Sequence, residues 1–191
     1  MRIVGSDAGQ AGRLRKTIGF LAAMALVFGP GTGPLGAETP GSGLPLPRYA
    51  SLKSDRVNVR KGPGFDYPIA WVYQRVGLPV EILKEFENWR QVRDSDGTEG
   101  WVLQNLLSGR RTALVTPWDI KPPEAGKETP EPASLRDGES GGASVLAVIE
   151  PGVLATLLSC DRAWCHVSIS DQRGYIEQSK LWGVYPDETV K

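Results

Sequence analysis

A shift of 75 residues, from Gly77 to Gly152, lays the second half of this chain on the first. The same shift superposes Leu83 on Leu158, Trp89 on Trp164, Val92 on Val167, Ser95 on Ser170 and Asp96 on Asp171. After a one-residue deletion, Gly100 meets Gly174, Gln104 meets Gln178, Leu107 meets Leu181 and Gly109 meets Gly183, while Trp101 and Val102 meet Tyr175 and Ile176. The matches keep their order and include turn glycines and strand aromatics, so the chain is a tandem repeat. A repeat unit of roughly 55–60 residues is small enough to be marginal alone, and would gain from packing on its neighbour or from a covalent staple.

Each copy reads as short strands. Residues 57–60 (VNVR) alternate, which puts Val57 and Val59 on one face. Residues 70–74, 79–84, 88–93 and 100–103 are rich in Val, Ile and Trp. Between them stand turn-formers: Gly62-Pro63-Gly64, Gly77, Glu87-Asn88 and Asp94-Ser95-Asp96-Gly97. With 23 Gly and 15 Pro in 191 residues, the composition favours turns over long helices. Five or more closely spaced strands per copy predict an all-β fold, two small antiparallel β-barrels in tandem, at 49–109 and 110–187.

The residues Val57–Gly64 (VNVRKGPG), Tyr67, Gly77, Trp89-Arg90-Gln91-Val92 and Gly100-Trp101-Val102 resemble the bacterial Src-homology-three (SH3) domain family. The second copy keeps Gly152, Trp164, Val167 and Gly174-Tyr175-Ile176 but lacks the N-V-R-x-G-P-G stretch. The resemblance implies SH3-like barrels and a non-enzymatic adaptor of the cell envelope. Many such modules accompany cell-wall hydrolases, and some bind cell-wall peptides.

The ends of the modules carry other signals. Arg13, Arg15 and Lys16 precede an uncharged apolar run, Ile18–Phe28, which is too short to span a bilayer. Gly29-Pro30 and the small-residue exit Leu35-Gly36-Ala37 follow. This is the pattern of a secretory signal peptide over 1–37, cleaved near Ala37, with an uncleaved anchor as the alternative. A periplasmic or secreted protein is expected, touching a membrane only transiently. Residues 38–48 read as a Pro/Gly-rich linker. Residues 121–132 (KPPEAGKETPEP) lack apolar side chains other than one Ala and read as a disordered insertion early in the second module.

Little catalytic chemistry is available. The chain has two Cys and one His, and its net charge is zero, so nothing points to nucleic acid. By the repeat, Cys160 and Cys165 take the places of Glu85 and Arg90 on either side of a hairpin turn, where Cα spacing suits a disulfide. Zinc would need a fourth ligand beyond these two and His166. Cys165 and His166 are adjacent on a strand and face opposite ways, so they do not form a catalytic pair. No catalytic set, metal site or cofactor is expected.

Function then rests on aromatics. Peptide-binding barrels use aromatic-lined grooves beside an early loop. The expected site is a shallow groove of Phe65, Tyr67, Trp89 and Trp101, with Arg60 or Lys61 pairing with a ligand carboxylate. The expected partner is a peptide, a cell-wall fragment or an envelope protein. The alternative is a structural envelope protein or a regulatory partner of a separate cell-wall enzyme. Without the Gly-Pro turn, the second module is expected to bind weakly or not at all.

Overall fold

The computed structural model describes residues 41–116 and 131–191. The expected signal peptide, the start of the linker and all of the expected insertion except residues 131–132 lie outside these residues.

The first copy supplies seven strands: β1 (Arg48–Leu52), β2 (Val57–Arg60), β3 (Ile69–Tyr73), β4 (Pro79–Phe86), β5 (Trp89–Arg93), β6 (Glu99–Leu103) and β7 (Leu107–Ser108). The second supplies β8 (Thr112–Val115), β9 (Ala133–Arg136), β10 (Val145–Ile149), β11 (Leu154–Asp161), β12 (Trp164–Ile169), β13 (Gln172–Glu177) and β14 (Leu181–Trp182), and then β15 (Thr189–Val190). The first sheet runs β3-β2-β6-β5-β4-β1-β7 and the second β10-β9-β13-β12-β11-β8-β14. Adding seven to each label of the first order yields the second, so the repeat in sequence is a repeat of topology. A 3-10 turn joins β6 to β7 in the first copy and β13 to β14 in the second, Gln104–Leu106 and Gln178–Lys180.

The details repeat as well. Each long hairpin breaks register at the matching place, between Ile82 and Lys84 and between Leu157 and Ser159. A bulge there sharpens the twist that curls a small sheet on itself. Gly77 and Gly152 both have positive φ (79° and 82°), and each amide donates at 2.8 Å to the carbonyl ending the opening strand, Leu52 or Val115. That conformation is the reason glycine stands there.

Each sheet closes on its own core. Val57, Val59, Val80, Ile82, Val92 and Val102 fill the first. Leu135, Ala155, Leu157, Val167, Ile176 and Leu181 fill the second. Period-2 alternation explains the choice: Val57 and Val59 are fully buried while Asn58 between them is exposed.

The hairpin ends differ in chemistry. In the second copy Cys160 and Cys165 form a disulfide with Cα atoms 4.1 Å apart. In the first, the paired residues are Glu85 and Arg90, whose side chains form a buried ion pair at 3.1 Å. Glu85 Oε1 also accepts from Arg48 (2.5 Å) and Ser42 Oγ (2.7 Å), and Oε2 accepts from the Ser42 amide (2.5 Å). Burial would raise the Glu85 carboxyl, but the hydrogen bonds from Arg48 and Ser42 outweigh it and hold it down to about 2.

The two barrels are joined by polar and aromatic contacts. Ser51 Oγ meets Thr112 Oγ1 and donates to the Arg110 carbonyl, while Thr112 Oγ1 donates to the Gly77 carbonyl, each at 2.6 Å. The Tyr49 ring packs on Trp182 (5.2 Å) and Tyr185 (4.8 Å). Tyr185 Oη donates to the buried Glu81 at 2.8 Å, and Glu81 also accepts from Arg93. The chain's last segment folds back on the second barrel. β15 pairs with β11, Cys160 opposite Val190, and Glu188 binds Arg111 at 2.7 and 3.1 Å.

Candidate functional site

The loop between β2 and β3 is held by its own arginine. Arg60 donates from one terminal nitrogen to the carbonyls of Phe65 (3.1 Å) and Tyr67 (2.6 Å), and its guanidinium lies 5.5 Å from the centre of the Phe65 ring. Arg60 thus organises the loop, and that nitrogen is already committed. Gly62 serves the same end, since a Cβ there would sit 2.3 Å from the Tyr67 ring. With no side chain at Gly62, the ring can lie over the loop.

Two of the expected aromatics are presented to solvent: Phe65 is 69% exposed and Tyr67 47%. Trp89 is only 6% exposed and packs edge-on against Phe65 at 5.2 Å, so it supports the exposed ring from beneath. Trp101 is half-buried in β6, in register with Arg60 and Gln91. Lys61 is exposed in the loop. The structure therefore brings Arg60, Phe65, Tyr67 and Trp89 together.

Beside Phe65 lies an open hollow of about 400 Å³, walled by Phe65, Asn88, Leu103, Gln104 and Asn105. That volume is within the range of small-ligand sites. Sequence reasoning supplied Phe65 and the turn holding Asn88, but not Leu103–Asn105. These three end β6 and enter the 3-10 turn, and no motif distinguishes them.

Tyr73 shares the β3 face with Trp71, their rings 6.0 Å apart, and donates to Asp94 at 2.9 Å. Burial first, and the neighbouring Asp94 carboxylate second, push its phenol up, so it stays a neutral donor that stabilises the sheet.

The second copy makes the same loop without the Gly-Pro sequence, which corrects the expectation that it lacks the turn. Lys61 and Asp137 amides donate across their loops to Pro68 and Ser144, both at 3.1 Å. Gly64 and Ser140 amides reach back to Gly62 and Gly138 at 3.0 and 2.9 Å. Arg136 donates to the Ala143 carbonyl at 2.7 Å, as Arg60 does to Tyr67. Gly138 at the turn and the arginine clip suffice for this backbone. Gly141 and Ala143 stand where the first copy has Phe65 and Tyr67. His166 and Tyr175 stack on the outer face at 4.8 Å. Among the described residues no group of three or more His, Cys, Asp or Glu could hold a metal ion.

A family model described as "Bacterial SH3 domain" matches residues 53–109 and 129–183. The chain is 26% identical over 127 residues to YrvJ of Bacillus subtilis strain 168, a protein named as a candidate N-acetylmuramoyl-L-alanine amidase. The match covers 66% of this chain and 24% of that protein, so the chain spans about a quarter of the relative's length. Among solved structures, NlpC2 from Trichomonas vaginalis aligns at 13% identity with a TM-score of 0.31, over 71% of this chain and 48% of that one. An NlpC/P60 family protein from Bacillus cereus ATCC 10987 aligns at 11% and 0.29, over 70% and 55%.

Proposed function

The chain belongs to the bacterial SH3 domain family, and from that premise we propose that it is a non-catalytic binding module of the bacterial envelope, recognising a peptide or cell-wall fragment in the groove beside Phe65. One observation carries this reading. Both copies build the same clipped loop, yet only the first puts exposed aromatics on it. The second copy forms the loop with Gly141 and Ala143, so the loop backbone has no need of Phe65 and Tyr67. Beyond the edge of Phe65 that covers Trp89, the exposed faces of Phe65 and Tyr67 offer aromatic area suited to contact with a ligand.

The relative named for cleaving the N-acetylmuramoyl-L-alanine bond supports a cell-wall ligand. The Cys160–Cys165 bond and the basic-then-apolar N-terminal run support a periplasmic or secreted location. The buried Trp89 and half-buried Trp101 favour the second reading, a structural envelope protein or partner of a separate enzyme.

Titration of a soluble cell-wall digest into the isotope-labelled full chain separates the two. Binding in the groove moves the amide signals of Phe65, Tyr67, Asn88 and Leu103–Asn105, and leaves the digest chemically unchanged. Shifts confined to the second barrel, or none, reject the groove.

A further inference from the structure

A second hollow, of about 500 Å³, shares Gln104 and Asn105 with the groove and opens on the side of β1. Leu44, Tyr49, Ala50, Ile82 and Leu107 form its apolar wall. Arg48 and Arg90 bring charge, and among the described residues no acidic one lines it. Both guanidiniums share the single carboxylate of Glu85, which leaves one positive charge in excess. Arg90 is spent on Glu85, Gln104 and the carbonyls of Glu87 and Trp89. Arg48 gives one nitrogen to Glu85, and among the described residues its other terminal nitrogen makes only a 3.4 Å contact with the Pro45 carbonyl.

The second barrel shows what fills this corner of the fold. Arg48 is opposite Ile82, and the Leu157 amide donates to the Arg111 carbonyl at 3.1 Å, so Arg111 is the counterpart of Arg48. Around Arg111 the corner is covered by the chain's own residues 184–190. Glu188 puts its carboxylate on Arg111. Gln178, the counterpart of Gln104, donates to the carbonyls of Tyr185 (2.6 Å) and Glu188 (3.1 Å). Val184 is fully buried, and Val190 pairs with Cys160, the counterpart of Glu85. In the first barrel the chain leaves the corner after Gly109 to begin β8, and among the described residues no equivalent segment covers the hollow.

We propose that the hollow at Arg48 is a second binding site, taking an extended acidic peptide segment whose side-chain carboxylate pairs with Arg48 as Glu188 pairs with Arg111. Its apolar neighbours cover the wall of Leu44, Ile82 and Leu107, and its carbonyls accept from Gln104. Charge complementarity and the occupant of the equivalent corner argue for this ligand over a neutral one. The proposal goes beyond the Phe65 groove and stands or falls separately from it.

The probe is the heptapeptide of residues 184–190, acetylated and amidated, together with the same peptide carrying Glu188→Gln, each titrated into the labelled full chain. The acidic peptide is expected to shift Arg48, Gln104, Asn105 and Leu107, and to bind at least about tenfold tighter than the Gln peptide. Arg48→Gln in the protein removes that preference, and Arg48→Lys retains part of it. Equal binding of the two peptides, an unchanged preference in Arg48→Gln, or no shift around Arg48 overturns the proposal. Should Arg48→Gln unfold, the comparison of the two peptides on the unaltered chain still decides. Shifts around Phe65 alone sink this site and leave the groove standing; shifts around Arg48 alone do the reverse.

Discussion

Replacing Glu85 with Gln removes one charge from the closed end of the β4–β5 hairpin and leaves the rest of the side chain nearly unchanged. Two routes give the cost. A carboxyl held at about 2 instead of its ordinary 4.5 corresponds to about 3 kcal/mol favouring the charged form. Independently, removing one partner of a buried ion pair costs about 3–5 kcal/mol, because the surviving charge is left without a counter-ion. The pair qualifies, with side-chain exposures of 5% for Arg90 and 6% for Glu85. Because the folded value lies below the unfolded one, this stabilisation is complete above about pH 5 and is lost as pH falls towards 2. Gln mimics the protonated acid. Urea unfolding followed by Trp fluorescence is therefore expected to show a deficit of about 3 kcal/mol for Glu85→Gln at pH 7, shrinking to near zero at pH 2. Urea adds no ions, so the screening of the pair stays constant through the titration. A deficit under about 1 kcal/mol at pH 7, or one that does not change with pH, refutes the reasoning.

Four further outcomes are expected. Reducing the Cys160–Cys165 bond, which closes a loop of five-residue separation, costs about 2 kcal/mol on the chain-entropy model; a scan with and without reductant should show melting fall by roughly 4–8 °C. Gly183→Ala puts a Cβ 2.5 Å from the Thr112 carbonyl at φ +127°, and should cost more than about 2 kcal/mol in denaturant melts. Gly62→Ala puts its Cβ 2.3 Å from the Tyr67 ring, so it should drive that ring off the loop, moving the Tyr67 ring signals and costing about 1–3 kcal/mol in denaturant melts. Intact mass of protein from a periplasmic or culture fraction should begin near Glu38; a full-length product there would count against export with cleavage.

Local and repeated features were legible in the sequence, and cross-copy ones were not. The 75-residue shift implies matching hairpins, and the strand orders, the bulges at Leu83 and Leu158 and the positive φ of Gly77 and Gly152 follow it. The cysteine pair could be read because Glu85 and Arg90 mark its register. Trp89 shows where alternation stops informing: period 2 assigns a face, but Phe65, which covers that ring, comes from a loop 24 residues earlier. The joint was hidden for the same reason at longer range. Glu81 and Tyr185 are 104 residues apart and share no pattern. The loop at Asp137–Ser144 was not legible because its turn needs no Gly-Pro dipeptide: Gly138 and the Arg136 clip are enough.

Between β7 and β8 only Gly109, Arg110 and Arg111 intervene, and the contacts of Ser51, Thr112, Tyr49 and Glu81 close the space around them. A flexible tether between two recognition modules lets each search independently and multiplies their affinities through effective concentration. This connection has no slack for such a search. Anything seated beside Phe65 is held at a set orientation to the second barrel, so the pair behaves as one rigid head and not as two hands on a string. Avidity would have to come from several copies of the protein arrayed along a polymer, with each copy contributing a fixed direction to its grip.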